Sequence, residues 1–156
     1  MTEKKEKDIF DESNFGADSE MSSQTVDWGK VGDTFTGTFV KARHNVETQF
    51  GENSIYDFFA EKGSFHKVTN KIAAEKPTTI NKGETWAVWG RNDLFNGQMN
   101  SLRPGQVVKL TFTEEQKSRK GNPAKIVKIY APKNNDGTPV MNKEWIEAQS
   151  VTAGDF

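Results

Sequence analysis

The stretch GETWAVWG, residues 83–90, narrows the possible folds of this chain more than any other segment. Gly83 and Gly90 bracket only six residues, too few for a helix of ordinary length, and those six are rich in aromatic and aliphatic side chains. ETWAVW therefore reads as a strand. Successive side chains on a strand point to opposite faces, so two tryptophans three positions apart must diverge. Trp86 shares its face with Val88 and is expected in the core, whereas Trp89 shares its face with small Ala87 and is expected outside, beside Arg91.

The rest of the chain follows the same preference. Its apolar residues include 11 Phe and 11 Val against three Leu, a mixture that favours strands over helices. VGDTFTGTFVKARHNVET alternates threonine with larger residues, FGENS supplies a turn, and IYDFFAEKGSFHKV returns, so the first two strands form a long hairpin. The polar stretch TNKIAAEKPTTINK, with Pro77, reads as an inserted loop with one helical turn at residues 72–75. After the GETWAVWG strand, Phe95, Met99 and Leu102 recur at i, i+4 and i+7, the spacing of a short amphipathic helix capped by Asn92 or Asp93 and ended by Pro104 and Gly105. QVVKLTFT then sets Val108, Leu110 and Phe112 against Val107, Lys109 and Thr111, and AKIVKIY sets Val127 and Ile129 against Ile126, Lys128 and Tyr130.

Strand, strand, loop, strand, helix, strand, strand is the order of an OB-fold: an all-β, five-stranded Greek-key barrel with one short helix between strands 3 and 4. An SH3-like barrel or a plain sandwich can be written from similar patterns. The predicted barrel domain spans residues 27–133. Residues 1–26 precede it as an acidic arm without sustained periodicity, expected to be disordered, and residues 134–156 follow as a tail with one short helix around Trp145. Formal net charge is -1, but residues 1–25 carry -4 and the remainder +3, the asymmetry of a polyanion binder with an acidic arm.

The inventory for catalysis is thin. Cysteine is absent, His44 and His66 are the only histidines, and no paired-carboxylate, phosphate-loop or metal-ligand spacing stands out around Asp57, Asp93, Glu114 or Glu115. The expectation is a protein that is not an enzyme and takes no metal or cofactor. Nothing resembles a signal peptide or a run of about 18 apolar residues, so the expected setting is the cytoplasm, without a membrane partner.

Binding residues are more legible, because aromatic and basic side chains recur together on the strands. A bulge at Gly37 would turn Val40 and Ala42 inward and Phe39, Lys41 and Arg43 outward. Placing Asp57 outside carries Phe59 with it and sends Tyr56 and Phe58 inward. Phe39, Phe59 and Trp89 are then stacking platforms for nucleobases, with Lys41, Arg43 and Arg91 as a cationic rim. Lys117, Arg119, Lys120 and Lys125 populate the turn between the last two strands, where OB-folds commonly grip nucleic acid, and Lys128 and Tyr130 continue the outward face of the last strand.

The segments VGDTFTGTFV, WAVWGRNDL, LRPGQVVKLTF and KGNPAKIVKIY resemble the single-stranded DNA-binding proteins of tailed bacteriophages built on one OB-fold, over about Trp28 to Pro132. The resemblance implies non-sequence-specific coating of single-stranded DNA during replication, recombination and repair. It also implies a C-terminal tip that contacts replication or recombination proteins. Asp155 and Phe156 match that tip, but the residues before them are not strongly acidic, and the arm at residues 1–25 is the alternative contact. Two other readings share the pattern: a single-stranded RNA-binding OB module, and a structural or assembly domain whose outward aromatics bury in a protein interface.

Overall fold

The computed structural model describes residues 24–49, 51–116 and 124–154. The first hairpin is long: β1 (Thr34–Thr48) pairs antiparallel with β2 (Gly51–Phe65) along its whole length. Between them and the next long strand, the chain makes β3 (Val68–Thr69), β4 (Ile72–Ala73) and β5 (Thr78–Ile80). The helical turn expected at residues 72–75 is thus replaced by a two-stranded hairpin. Asn70 and Lys71 at its tip have φ of 53° and 66°, the left-handed pair that a tight hairpin turn requires and a helix does not allow.

GETWAVWG forms β6 (Thr85–Trp89), followed by α1 (Asp93–Asn100), β7 (Val107–Gln116), β8 (Ala124–Tyr130) and α2 (Lys143–Gly154). Asn92 caps α1, its side-chain oxygen accepting from the Phe95 amide at 2.8 Å. Phe95 and Met99 are buried and Leu102 packs against the core, as their spacing predicts.

The architecture is mostly β, an antiparallel six-stranded sheet in the order β5-β2-β1-β7-β8, with β6 also paired to β2. Among the described residues no ladder joins β6 to β8, so the sheet is not hydrogen-bonded shut. Other contacts bridge that gap. Residues 24–26 run parallel to β6, where the Val26 amide donates to the Ala87 carbonyl at 2.9 Å and the Ala87 amide to the Gln24 carbonyl at 2.8 Å. From β8, Lys125 Nζ reaches the Trp28 carbonyl at 2.6 Å. Val26 and Trp28 are themselves buried, so the core takes in residues on both sides of the expected boundary at residue 27.

One apolar core packs against the sheet, with Phe35, Tyr56, Phe58, Val88, Met99, Val108, Leu110 and Phe112 fully buried. Phe35 and Phe39 both meet Phe58 edge-on, at centroid distances of 5.4 and 5.7 Å. At Gly37 an added Cβ would sit 2.8 Å from the Phe59 carbonyl and 3.0 Å from the Phe35 ring, so only glycine lets β1 bend this tightly over the core.

Asp33 ties the start of β1 to the end of β2. Its buried carboxylate accepts from the amides of Gly29, Lys30 and His66, each at 2.9 Å, and lies 2.7 Å from His66 Nδ1. His66 is thereby part of the framework.

The C-terminal segment folds back onto the sheet. Val107 donates to the Val140 carbonyl at 2.9 Å, and the Asn142 amide to the Gly105 carbonyl at 2.7 Å. Asn142 then caps α2 through the Trp145 amide, while its own amide group donates to Thr38 Oγ1 at 2.8 Å. Gly105, at φ 96°, lies so close under Ile146 that a Cβ would fall 2.7 Å from it. The helix expected around Trp145 is therefore present, and it is docked. No helix of the described residues is long and apolar enough to cross a membrane.

Candidate nucleic-acid interface

Three strands present one outer face. Register sets Arg43, Ile55 and Trp89 in one row across β1, β2 and β6, Lys41, Asp57 and Ala87 in the next, and Thr38, Phe59 and Thr85 in a third. Trp86 is buried in the core, edge-on to Phe65 at 5.5 Å, and Trp89 stands half-buried on the outer side, so the spacing of three resolves as its strand geometry requires.

Phe39 is the exception to the predicted facing, and its placement as a stacking platform is corrected. The pairing runs Phe39 to Phe58 and then Lys41 to Asp57, so the extra residue of β1 is Val40 and not Gly37; at Gly37 the extra residue lies on β2, at Glu61, and β1 alternates unbroken from Phe35 through Gly37 to Phe39. That insertion puts Phe39 and Lys41 on opposite faces although they are two apart in sequence. Phe39 is 4% exposed and packs in the core, while Lys41 remains outside.

Asp57 lies on the outer face, as expected, but it is not solvated. Arg43 covers it with a two-pronged ion pair, Nε to Oδ2 and Nη2 to Oδ1, both at 2.9 Å. The charge of Arg43 is compensated and its orientation held, so what it offers outward is a fixed guanidinium plane. Such planes stack on bases much as aromatic rings do.

Trp89 and Arg91 line a groove of about 530 Å³ with Thr48, Gln49, Glu52 and Asn53 at the tip of the first hairpin. Gly90 is held there by its amide bond to the Ser54 carbonyl at 2.7 Å. Arg91 Nη2 donates to the Lys125 carbonyl at 3.1 Å, and desolvation pulls the guanidinium pKa below its ordinary value. Arginine nonetheless stays charged near neutral pH.

At the other end of the face, Phe59 is half-buried in a groove of about 870 Å³ between the sheet and α2, which is also lined by Thr38, Val107 and Trp145. Trp145 was not among the predicted platforms, because its contact with this face depends on α2 folding back.

Of the remaining predicted cations, Lys125 is drawn into the fold. Its ammonium donates to the Trp28 carbonyl and lies 5.8 Å from the centroid of Phe112, so it is not the free loop cation expected. Lys128 and Tyr130 are exposed on β8, where they line a groove of about 270 Å³ together with Arg91 and the start of α1. Lys117, Arg119 and Lys120, together with Asp155, Phe156 and residues 1–23 of the acidic arm, lie outside the described residues.

Among the described residues the other titratable groups do not converge. His44 Nδ1 pairs with Ser54 Oγ at 2.8 Å, and among the described residues no three His, Asp or Glu side chains converge as metal ligands. Comparison of the chain with known protein families, curated proteins and solved structures returned no match.

Proposed function

We propose that this protein binds single-stranded DNA without sequence preference through the outer face of β1, β2 and β6, acting as a partly open OB-type barrel of the phage kind in replication, recombination and repair. One observation carries the reading: Trp89, the clamped plane of Arg43 and Phe59 share one face, with Lys41 between them. Bases stack on such surfaces with about 1–3 kcal/mol each, whatever their identity. Lys41 and Arg91 supply cationic contacts to the backbone, which position the strand without reading it. In the barrel interpretation, residues 24–28 and the Arg91–Lys125 contact occupy the seam between β6 and β8 that hydrogen bonds leave open. The role is one of binding, with no cofactor; replication or recombination proteins would be recruited through an acidic terminal segment.

The test is a titration of oligo(dT), oligo(U) and duplex DNA followed by tryptophan fluorescence. Trp28 and Trp86 are buried, so quenching reports on Trp89 and Trp145. Oligo(dT) is expected to quench strongly, and added salt to reverse it. Absence of any response at low salt overturns the proposal, and stronger binding of oligo(U) reassigns the ligand to RNA.

A further inference from the structure

A second surface lies beyond α2, and it rests on the single-strand reading above. Thr36 of β1 pairs with Lys62 of β2 on one side and with Lys109 of β7 on the other, and Lys109 pairs with Tyr130 of β8. The four side chains therefore form one row across four strands. Alternation puts the row outside, because Val108 and Leu110, the neighbours of Lys109, are fully buried. Lys128 stands in the adjoining row on β8, paired with Thr111.

The stripe is open and uncompensated. Lys62, Lys109 and Lys128 are exposed, and among the described residues none of them has an ion-pair or hydrogen-bond partner. The groove here, about 630 Å³, runs from Lys62 past Lys109 to Tyr130, and among the described residues no carboxylate lines it. The nearest acid along β2, Glu61, is the bulged residue and is turned to Lys82 at 3.8 Å. Tyr130 is 49% exposed, an unusually open position for a large aromatic ring on a strand.

The stripe also connects to the first face. The grooves beside Phe59 and beside Tyr130 share Thr36 and Val107 in their linings. Lys62 lies seven residues along β2 from Ile55, the row that holds Trp89. With Glu61 as an extra residue that leaves six steps, and at a rise of about 3.3 Å per residue the two rows are roughly 20 Å apart along β2.

We infer that Lys62, Lys109 and Lys128 form a second backbone-binding track for the same single strand, with Tyr130 as its stacking platform, continuing the path from Trp89 past Phe59. Short oligonucleotides engage the Trp89 face alone. Longer ones reach both tracks, and the lysine track carries most of the salt dependence.

The experiment compares wild type with the K62Q/K109Q/K128Q variant, using oligo(dT) of about 4 and about 16 nucleotides, the span of site sizes found for single OB domains. With the longer oligonucleotide the triple variant is expected to lower the slope of log affinity against log salt by about 2, from three phosphate contacts at about 0.7 each. Binding of the shorter one is expected to be unchanged. A separate readout needs no variant: wild type irradiated with the longer oligonucleotide carrying iododeoxyuridine should yield adducts at Tyr130 as well as Trp89. An unchanged slope with the longer oligonucleotide overturns the second track while leaving the first face standing. A wild type that binds neither oligonucleotide overturns the single-strand reading itself, and the track with it.

Discussion

The face around Trp89 and the stripe around Lys109 occupy one sheet and are built on opposite principles. On the first, the two arginines are tied down, Arg43 to Asp57 and Arg91 to the Lys125 carbonyl, and Lys41 stands exposed between the platforms. Its rings are half-buried. On the second, three lysines stand without partners among the described residues and the tyrosine is open. The difference teaches that net charge is a poor guide to where a polyanion gains its affinity. A preorganised face loses little conformational entropy on binding and acts through stacking, whereas flexible lysines contribute mainly through release of counterions, a contribution that salt removes.

The largest effect that sharpens the comparison concerns stability. Phe39→Ala should cost about 3 kcal/mol in denaturant unfolding, because a large ring is deleted from the packed core rather than from a binding face. A loss below about 1 kcal/mol would return Phe39 to the outer surface. Asp57→Ala should cost about 2 kcal/mol, less than for a fully buried pair because Arg43 keeps 23% of its side-chain surface exposed. It should also weaken DNA binding by freeing the Arg43 plane, although the variant's net charge becomes more positive. Tighter binding after this substitution would mean that charge, and not orientation, governs the first face.

Trp89→Ala should leave the unfolding midpoint nearly unchanged and weaken oligo(dT) binding by about 1–3 kcal/mol, read by anisotropy of a labelled oligonucleotide. Arg43→Lys keeps the charge and removes the plane; a loss of about 1 kcal/mol in affinity with an unaltered salt slope is expected. The smallest effect belongs to the other region, where Lys109→Gln should reduce the salt slope by about 0.7, weakening binding modestly at low salt and hardly at all as the salt approaches about 1 M.

Much of this was legible from local pattern. The strand at GETWAVWG, the Asn92-capped helix and the alternation in QVVKLTFT each follow from spacing that only one backbone geometry can satisfy, so Trp86 and Trp89, Phe95 and Met99, Val108 and Leu110 fall where their periods place them. Facing on β1 was harder to read. Glycine inside a strand marks Gly37 as the natural place for a bulge, but the extra residue of β1 is Val40, which carries no glycine signal, and the one opposite Gly37 is Glu61 on β2. Moving the bulge from Gly37 to Val40 reverses the facing of the residues between them and leaves Lys41 and Arg43 outside, so Phe39 alone of the three expected outward residues turns into the core.

What the chain by itself determined, then, is which segments are strands and which of their residues alternate, since those depend on neighbours a few positions away. Tertiary structure alone decided the rest. Lys62 joined Lys109 and Tyr130 only through ladder register between strands distant in sequence, Asp57 became the support of Arg43 only across a hairpin, and Trp145 met the sheet only because Asn142 bonds to Thr38. Contacts between residues far apart along the chain are set by packing and register, and no local period records them.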